Sequence, residues 1–291
     1  MRRALAGRLA FAIALVLVAF IGVYLLTGLA PGDPLDDGTR SPASVAAERV
    51  RLGMDRPLVA RLTQRVARLA TLDLGTSLRY GQPVLPLLVD RTARTLRAGA
   101  AALLLALALG IPAGVAASRS SSRLVRRSID VASIVLLSLP ALVIALGLAV
   151  VASGLGLSSY AVMVTALALP AWAVVARAQA RALDEVAGAT CLAAARARGV
   201  PAAAITWRHA WPLSLPAVLG LLGVVAGQVL SGALAIELVT ARSGLGLLTF
   251  EALTSRDIDL AAGCAGTAAL IVGACTLAAD AVLAWVDPRQ T

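Results

Sequence analysis
Leu9–Leu29 is an apolar run of about 20 residues, the length an α-helix needs to cross a hydrocarbon core of roughly 30 Å. Comparable runs follow at about Ala98–Ala117, Ile129–Val151, Tyr160–Ala180, Leu213–Leu234 and Ala261–Trp285. Only 14% of the 291 residues are charged, whereas 59% are hydrophobic and aromatics are just 3%. Leu, Ala and Val must therefore do the packing, and small residues let helices approach closely in lipid. The expected fold class is an all-α integral membrane protein with six transmembrane helices.

Charge sets the expected sidedness. The chain has no lysine; its formal charge of +10 comes from arginine. Arg2, Arg3 and Arg8 precede the first run. Arg119, Arg123, Arg126 and Arg127 lie between the second and third, and Arg177, Arg181, Arg196, Arg198 and Arg208 at or between the fourth and fifth. The turn Ser153–Ser159 has no charge. The positive-inside rule places both termini and the arginine-rich connections in the cytoplasm, with Trp207, Trp211 and Trp285 near that interface. A nucleic-acid partner would need a soluble basic face with stacking aromatics, and the composition offers neither. The first run is longer than a signal-peptide core of about 7–15 residues and reads as a retained span.

Residues 31–97 carry eleven arginines and seven acids on the opposite side, in a segment long enough to escape the charge rule. Ser41 and Pro42 start one helix and Gly53 stops it. Asp55 and Pro57 start another, with Leu58, Leu62 and Leu69 on one side and Arg61, Arg65 and Arg68 largely on the other. The segment reads as an external helical cap; a disordered tether is the alternative. The expected division is a first transmembrane helix at 1–30, the cap at 31–97, and a five-helix core at 98–291.

Cys191, Cys264 and Cys275 have no CxxC or zinc spacing, and the motifs HExxH, GxSxG and GxxxxGK[ST] are absent. His209 is the only histidine, so no multi-imidazole metal site is possible. An intramembrane enzyme built on His209, and an ion-gradient transporter using Asp130 or Asp280, stay open as readings of other classes.

The polar interruption Arg181–Pro216 separates the fourth and fifth runs. Leu183–Arg198 is alanine-rich and lacks proline, which favours helix. Gly199 suits a left-handed stop, and Pro201 suits the first turn of a second helix. The result is a short helical hairpin at about 181–212, with Asp184 and Glu185 at one end and Arg196 and Arg198 at the other.

Within it, Ala195-Arg-Ala-Arg-Gly199 resembles the Ala-Arg-Ala-Lys-Gly core of the cytoplasmic loop in ABC-importer permeases, with arginine for lysine. Other fragments follow in the order of the dipeptide/oligopeptide (and nickel) permeases. Pro31-Gly-Asp-Pro34, Leu52-Gly-Met-Asp-Arg-Pro57, Leu72-Asp-Leu-Gly-Thr-Ser77 and Thr92–Leu96 precede the second run. Arg208-His209 with Pro216, Glu237 with Ser243-Gly-Leu-Gly246, Arg256-Asp257, and Asp280 with Asp287-Pro-Arg289 follow the hairpin. Two departures stand out: Thr190-Cys-Leu-Ala193 replaces the usual Asp-Tyr-Val-Arg, and Ser243 replaces a proline.

The resemblance implies a type I ABC importer permease working by alternating access. It implies that the chain binds no cofactor, that ATP and Mg belong to two partner ATPases, and that a homologous second permease and an extracytoplasmic substrate-binding protein complete the complex. Glu185, Ala187, Ala195, Arg196, Arg198, Gly199, Arg208 and His209 are the implied ATPase-coupling residues. Asp33, Glu237, Gly244, Gly246 and Asp257 are implied to face the binding protein. The implied cargo is a peptide, with nickel or a metal chelate as the alternative.

Overall fold
The apolar runs fold into helices in the computed structural model, which describes residues 2–30, 46, 50, 57–69 and 71–286. Ser41, Pro42, Gly53 and Asp55, the motif containing Asp33, and the closing Asp287-Pro-Arg289 lie outside the described residues, as does the side chain of Trp285. Helices α1 (Arg2–Leu29), α2 (Leu58–Leu69) and α3 (Val84–Arg119) are followed by α4 (Arg123–Ser138), α5 (Ala141–Leu155) and α6 (Ser159–Glu185). Then come α7 (Thr190–Ala197), α8 (Trp211–Gly220), α9 (Leu222–Val239), α10 (Leu245–Thr254) and α11 (Ile258–Val286). Among the described residues, five stretches are long and apolar enough to span: Gly7–Leu29, Val84–Arg119, Ser159–Gly188, Leu222–Val239 and Ile258–Val282. A sixth exists if α4 and α5 count as one span.

Three boundaries differ from the sequence reading. The third run is two helices bent by 109°. Pro140 supplies no N–H and drives the residue before it out of helical space; Leu139 accordingly sits at φ −88°, ψ 132°. The second span starts at Val84, so Arg91, Arg94 and Arg97 belong to its helix rather than to the cap. The fifth run is divided at Leu221 between α8 and α9, directly after Gly220, whose helix propensity is poor.

The chain divides into two compact units whose boundaries fall inside α3 and α11 and between Arg242 and Ser243. In the larger unit (Leu96–Arg242 with the end of α11), α6 is the hub, packed by α4, α5, α8 and α9. Its core is built from small residues, including Ala102, Ala106, Ala145, Ala166 and Ala171, with Val175, Val225, Val229 and Ile236. Gly110 and Gly114, four apart on α3, allow the closest approach. A Cβ on Gly110 would lie 2.9 Å from Val175 Cβ, and one on Gly114 would lie 2.5 Å from the Ala176 carbonyl oxygen and 2.6 Å from Gln179 Cβ. This is the small-xxx-small contact by which helices pack when lipid supplies no hydrophobic drive between them.

In the smaller unit (residues 2–95 and Ser243–Gly273), α2 lays Leu58, Leu62 and Leu69 against Phe20, Tyr24, Ile258 and Ala262. The expected apolar side of α2 is therefore its packed side. Arg65 departs from the expected polar side: its Nη2 donates to Asp259 Oδ2 at 2.5 Å, with both side chains largely covered. A turn at residues 71–83 follows, closed by hydrogen bonds from Ser77 N to Gln82 O (2.9 Å) and from Val84 N to Gly75 O (3.0 Å).

Candidate functional site
The hairpin forms as two short arms about Gly199. After α6 a single turn of 3₁₀-helix, Val186–Gly188, and extended Ala189 reset the chain direction, so the expected helix Leu183–Arg198 is interrupted before α7 begins. Gly199 adopts φ +75°, where a side chain would be strained. Its N–H donates to the Arg196 carbonyl at 3.0 Å, and Val200 N donates to Ala195 O at 3.2 Å. Pro201 is extended at φ −56°, ψ 142° and leads into the short helical turn Ala202–Ala204.

The second arm continues as a π-helical stretch, Ile205–Ala210, rather than as an α-helix. Pro212 accounts for it. Proline has no N–H for the carbonyl four residues back, here Arg208, and its ring crowds that carbonyl; a wider turn relieves the clash. The π-turn carries Arg208 and His209, both exposed.

The hairpin has a packed face and a free face. Leu192, Ala195, Ile205 and Ala210 are buried with Val115 and Leu183 from the ends of α3 and α6. Arg119 Nη2 donates to the Leu183 carbonyl at 2.8 Å, and Ser118 Oγ donates to Asp184 at 2.6 Å. Glu185, Arg196, Arg198 and Gly199 are exposed and Ala187 is half-buried. Arg196 and Arg198 donate to the carbonyls of Ala187 and Ala194. Of the eight implied coupling residues, seven have exposed or partly exposed surface, whereas Ala195 is 2% exposed and is a packing contact. Side-chain size there is limited by the helix ends beneath it.

The residues implied to face a binding protein lie differently. Asp33 is outside the described residues. Glu237 on α9 is fully buried in the larger unit, so its carboxylate presents no surface. In the smaller unit Gly244 and Gly246 are buried at the start of α10, where Leu245 N–H donates to Thr95 Oγ1 at 2.8 Å. Asp257, also fully buried, accepts from Ser77 Oγ (2.6 Å), Arg79 N (3.1 Å) and Leu260 N (3.2 Å). It is a bracket holding the 71–83 turn to the α10–α11 corner, and its side chain faces inward. Beside it Tyr80 Oη donates to Glu251 Oε2. Burial, and then the Glu251 carboxylate, hold the Tyr80 phenol above its ordinary value of 10.

Sequence reading missed Ser77, Thr95, Gln179 and Ser214 as structural residues. Gln179 was findable: it is a polar residue in an apolar run. It is fully buried, and its Nε2 donates to Ser214 Oγ at 2.8 Å. Thr95 lay within the noted Thr92–Leu96 fragment, but its partner 150 residues away had no local signal.

Comparison with known proteins matches residues 110–291 to the family model "Binding-protein-dependent transport system inner membrane component". The chain is 29% identical to a Brucella suis biovar 1 protein that carries the name of a peptide permease, with 97% of each chain covered. It is 28% identical to an Escherichia coli K12 protein named for D,D-dipeptide transport, and 27% identical to the dipeptide transport system permease protein DppB of Lactococcus lactis subsp. cremoris; 91% of each chain is covered in both cases. With the model matching well over half its length, the chain belongs to the inner membrane components of binding-protein-dependent transport systems, the permeases of ABC importers.

Proposed function
We propose that this permease translocates peptides through the plasma membrane with both termini in the cytoplasm, driven by two ATPase subunits that bind ATP and Mg and dock on the hairpin. A homologous second permease completes the pathway, and an extracytoplasmic binding protein delivers cargo. The relatives' names, all of peptide or dipeptide transport, support a peptide over nickel or a metal chelate. One observation carries the coupling role: Leu192 and Ala195 clamp the hairpin onto the ends of α3 and α6 while Arg196, Arg198, Gly199, Arg208 and His209 stay exposed. A rigid element clamped on one face and free on the other transmits displacement into the helices it grips.

The test is to replace Gly199 with Val, and separately Arg196 and Arg198 together with Ala, in the assembled complex. Binding-protein-stimulated ATP hydrolysis should persist or rise while uptake falls, because hydrolysis is uncoupled from helix motion. Normal uptake per ATP in both variants would remove the coupling role.

A further inference from the structure
The sequence did not single out any pathway-lining residue, but among the described residues the larger unit holds a groove that sets two arginines against apolar walls. It has a volume of about 430 Å³ and runs between α4, α6 and α8. Its lining is apolar at Leu137, Val174, Ala217 and Leu221 and charged at Arg177, Arg181 and Glu185. Arg177, Arg181 and Glu185 are spaced four apart and so share one stripe of α6.

Three features of this stripe call for an anion. Arg177 lies toward the hairpin end of the segment Ser159–Gly188, the end proposed above to be cytoplasmic, and is half-buried in the groove. Two guanidiniums four residues apart repel each other. Neither has a carboxylate within 4.0 Å among the described residues. Glu185 can offset Arg181 across one helical turn, which leaves Arg177, half-buried where Arg181 is exposed, as the uncompensated cation. A guanidinium in apolar walls is the group that holds a carboxylate by paired hydrogen bonds.

We infer that Arg177, assisted by Arg181, receives the C-terminal carboxylate of the transported peptide, with Leu137, Val174 and Leu221 covering its apolar side. This rests on the peptide reading above. A groove of this volume is of the size that small ligands occupy. The carboxylate is common to peptides of every sequence, so recognition there suits a carrier tolerant of side chains.

The experiment uses the complete importer with its ATPases, second permease and binding protein in phosphatidylcholine vesicles, and in parallel in vesicles containing phosphatidylglycerol. Uptake of labelled L-alanyl-L-alanine is compared with that of its C-terminal amide. The binding protein is common to all variants, so its own preference cancels when acid-to-amide ratios are compared. Arg177→Gln should lower the ratio about tenfold, the loss expected for one charge-assisted hydrogen-bonded contact, and Arg177→Lys should recover part of it. Ala217→Glu, which puts a competing carboxylate into the groove, should lower the ratio too, and decides the matter if Arg177→Gln fails to assemble. A wild-type ratio in these variants overturns the assignment. So does an equal loss of acid and amide, which marks a structural role, or a loss confined to phosphatidylglycerol vesicles, which marks a lipid headgroup as the ligand. A wild-type complex that imports neither these compounds nor any member of a mixed pool of D- and L-peptides overturns the peptide reading itself.

Discussion

Ser77 and Asp257, 180 residues apart, are joined by a buried hydrogen bond of 2.6 Å in which the hydroxyl donates to the carboxylate. The same carboxylate also takes the backbone N–H groups of Arg79 and Leu260. Asp257→Ala would leave these donors without a protein acceptor, destabilising the smaller unit by about 3 kcal/mol, since each orphaned buried donor costs roughly 1–3 kcal/mol. Asp257→Asn keeps one acceptor oxygen and should be markedly milder. Thermal unfolding of both variants in detergent checks the order; equal midpoints for Asp257→Ala and wild type would refute the bracket.

Gly114 and Gly147 make opposite predictions from the same substitution. A Cβ at Gly114 meets backbone at 2.5 Å, so Gly114→Ala must push α3 off α6, at about 1–3 kcal/mol for an overpacked contact. Gly147, inside α5, has nothing within 4 Å of its would-be Cβ. Gly147→Ala should be neutral or stabilising by up to about 1 kcal/mol through helix propensity. The two variants, unfolded side by side, should shift in opposite directions.

Arg65 and Asp259 form a largely covered pair, so removing one partner strands the other. Arg65→Met and Asp259→Asn should each destabilise the α2 packing. The double variant should be less harmful than the sum, with a coupling of about 0.5–3 kcal/mol. Protease accessibility of α2 in membrane vesicles reads the effect directly. Strict additivity would show that the contact contributes nothing.

The Tyr80 phenol is raised by burial first and by Glu251 second. A group whose folded pKa lies above its unfolded value contributes stability that is complete below the unfolded value, here 10, and is lost as pH rises through the folded one. The Tyr80–Glu251 contact should therefore persist through pH 10 and fail above it. Ultraviolet titration of wild type minus Tyr80→Phe isolates this phenol, and Glu251→Gln should bring its transition down toward 10.

Much of the fold was legible because its signals are local. An apolar run of membrane length announces a helix wherever it lies. Gly199 and Pro201 marked the hairpin turn because a left-handed stop and a preset φ depend only on the residues that adopt them. The break at Pro140 follows from proline chemistry, but the 109° size of the bend does not, because the direction in which a broken helix resumes is decided by what it packs on. The exposed hairpin residues were recognisable as a motif. The inward placement of Glu237, Asp257 and Ala195 was not, since a motif records which residues recur and not which way they face.

The amino-acid sequence alone determined the helical membrane class, the punctuation of the hairpin and the family, because hydropathy, turn chemistry and motif order each act over a few neighbouring residues. Tertiary structure alone decided which of many similar Ala, Leu and Gly positions touch. It set Gly114 against Gln179, Arg65 on Asp259 and Thr95 under Leu245, and it put Arg177 in a groove between α4, α6 and α8. The physical reason is that packed and lipid-facing surfaces are equally apolar, so only three-dimensional contact distinguishes them.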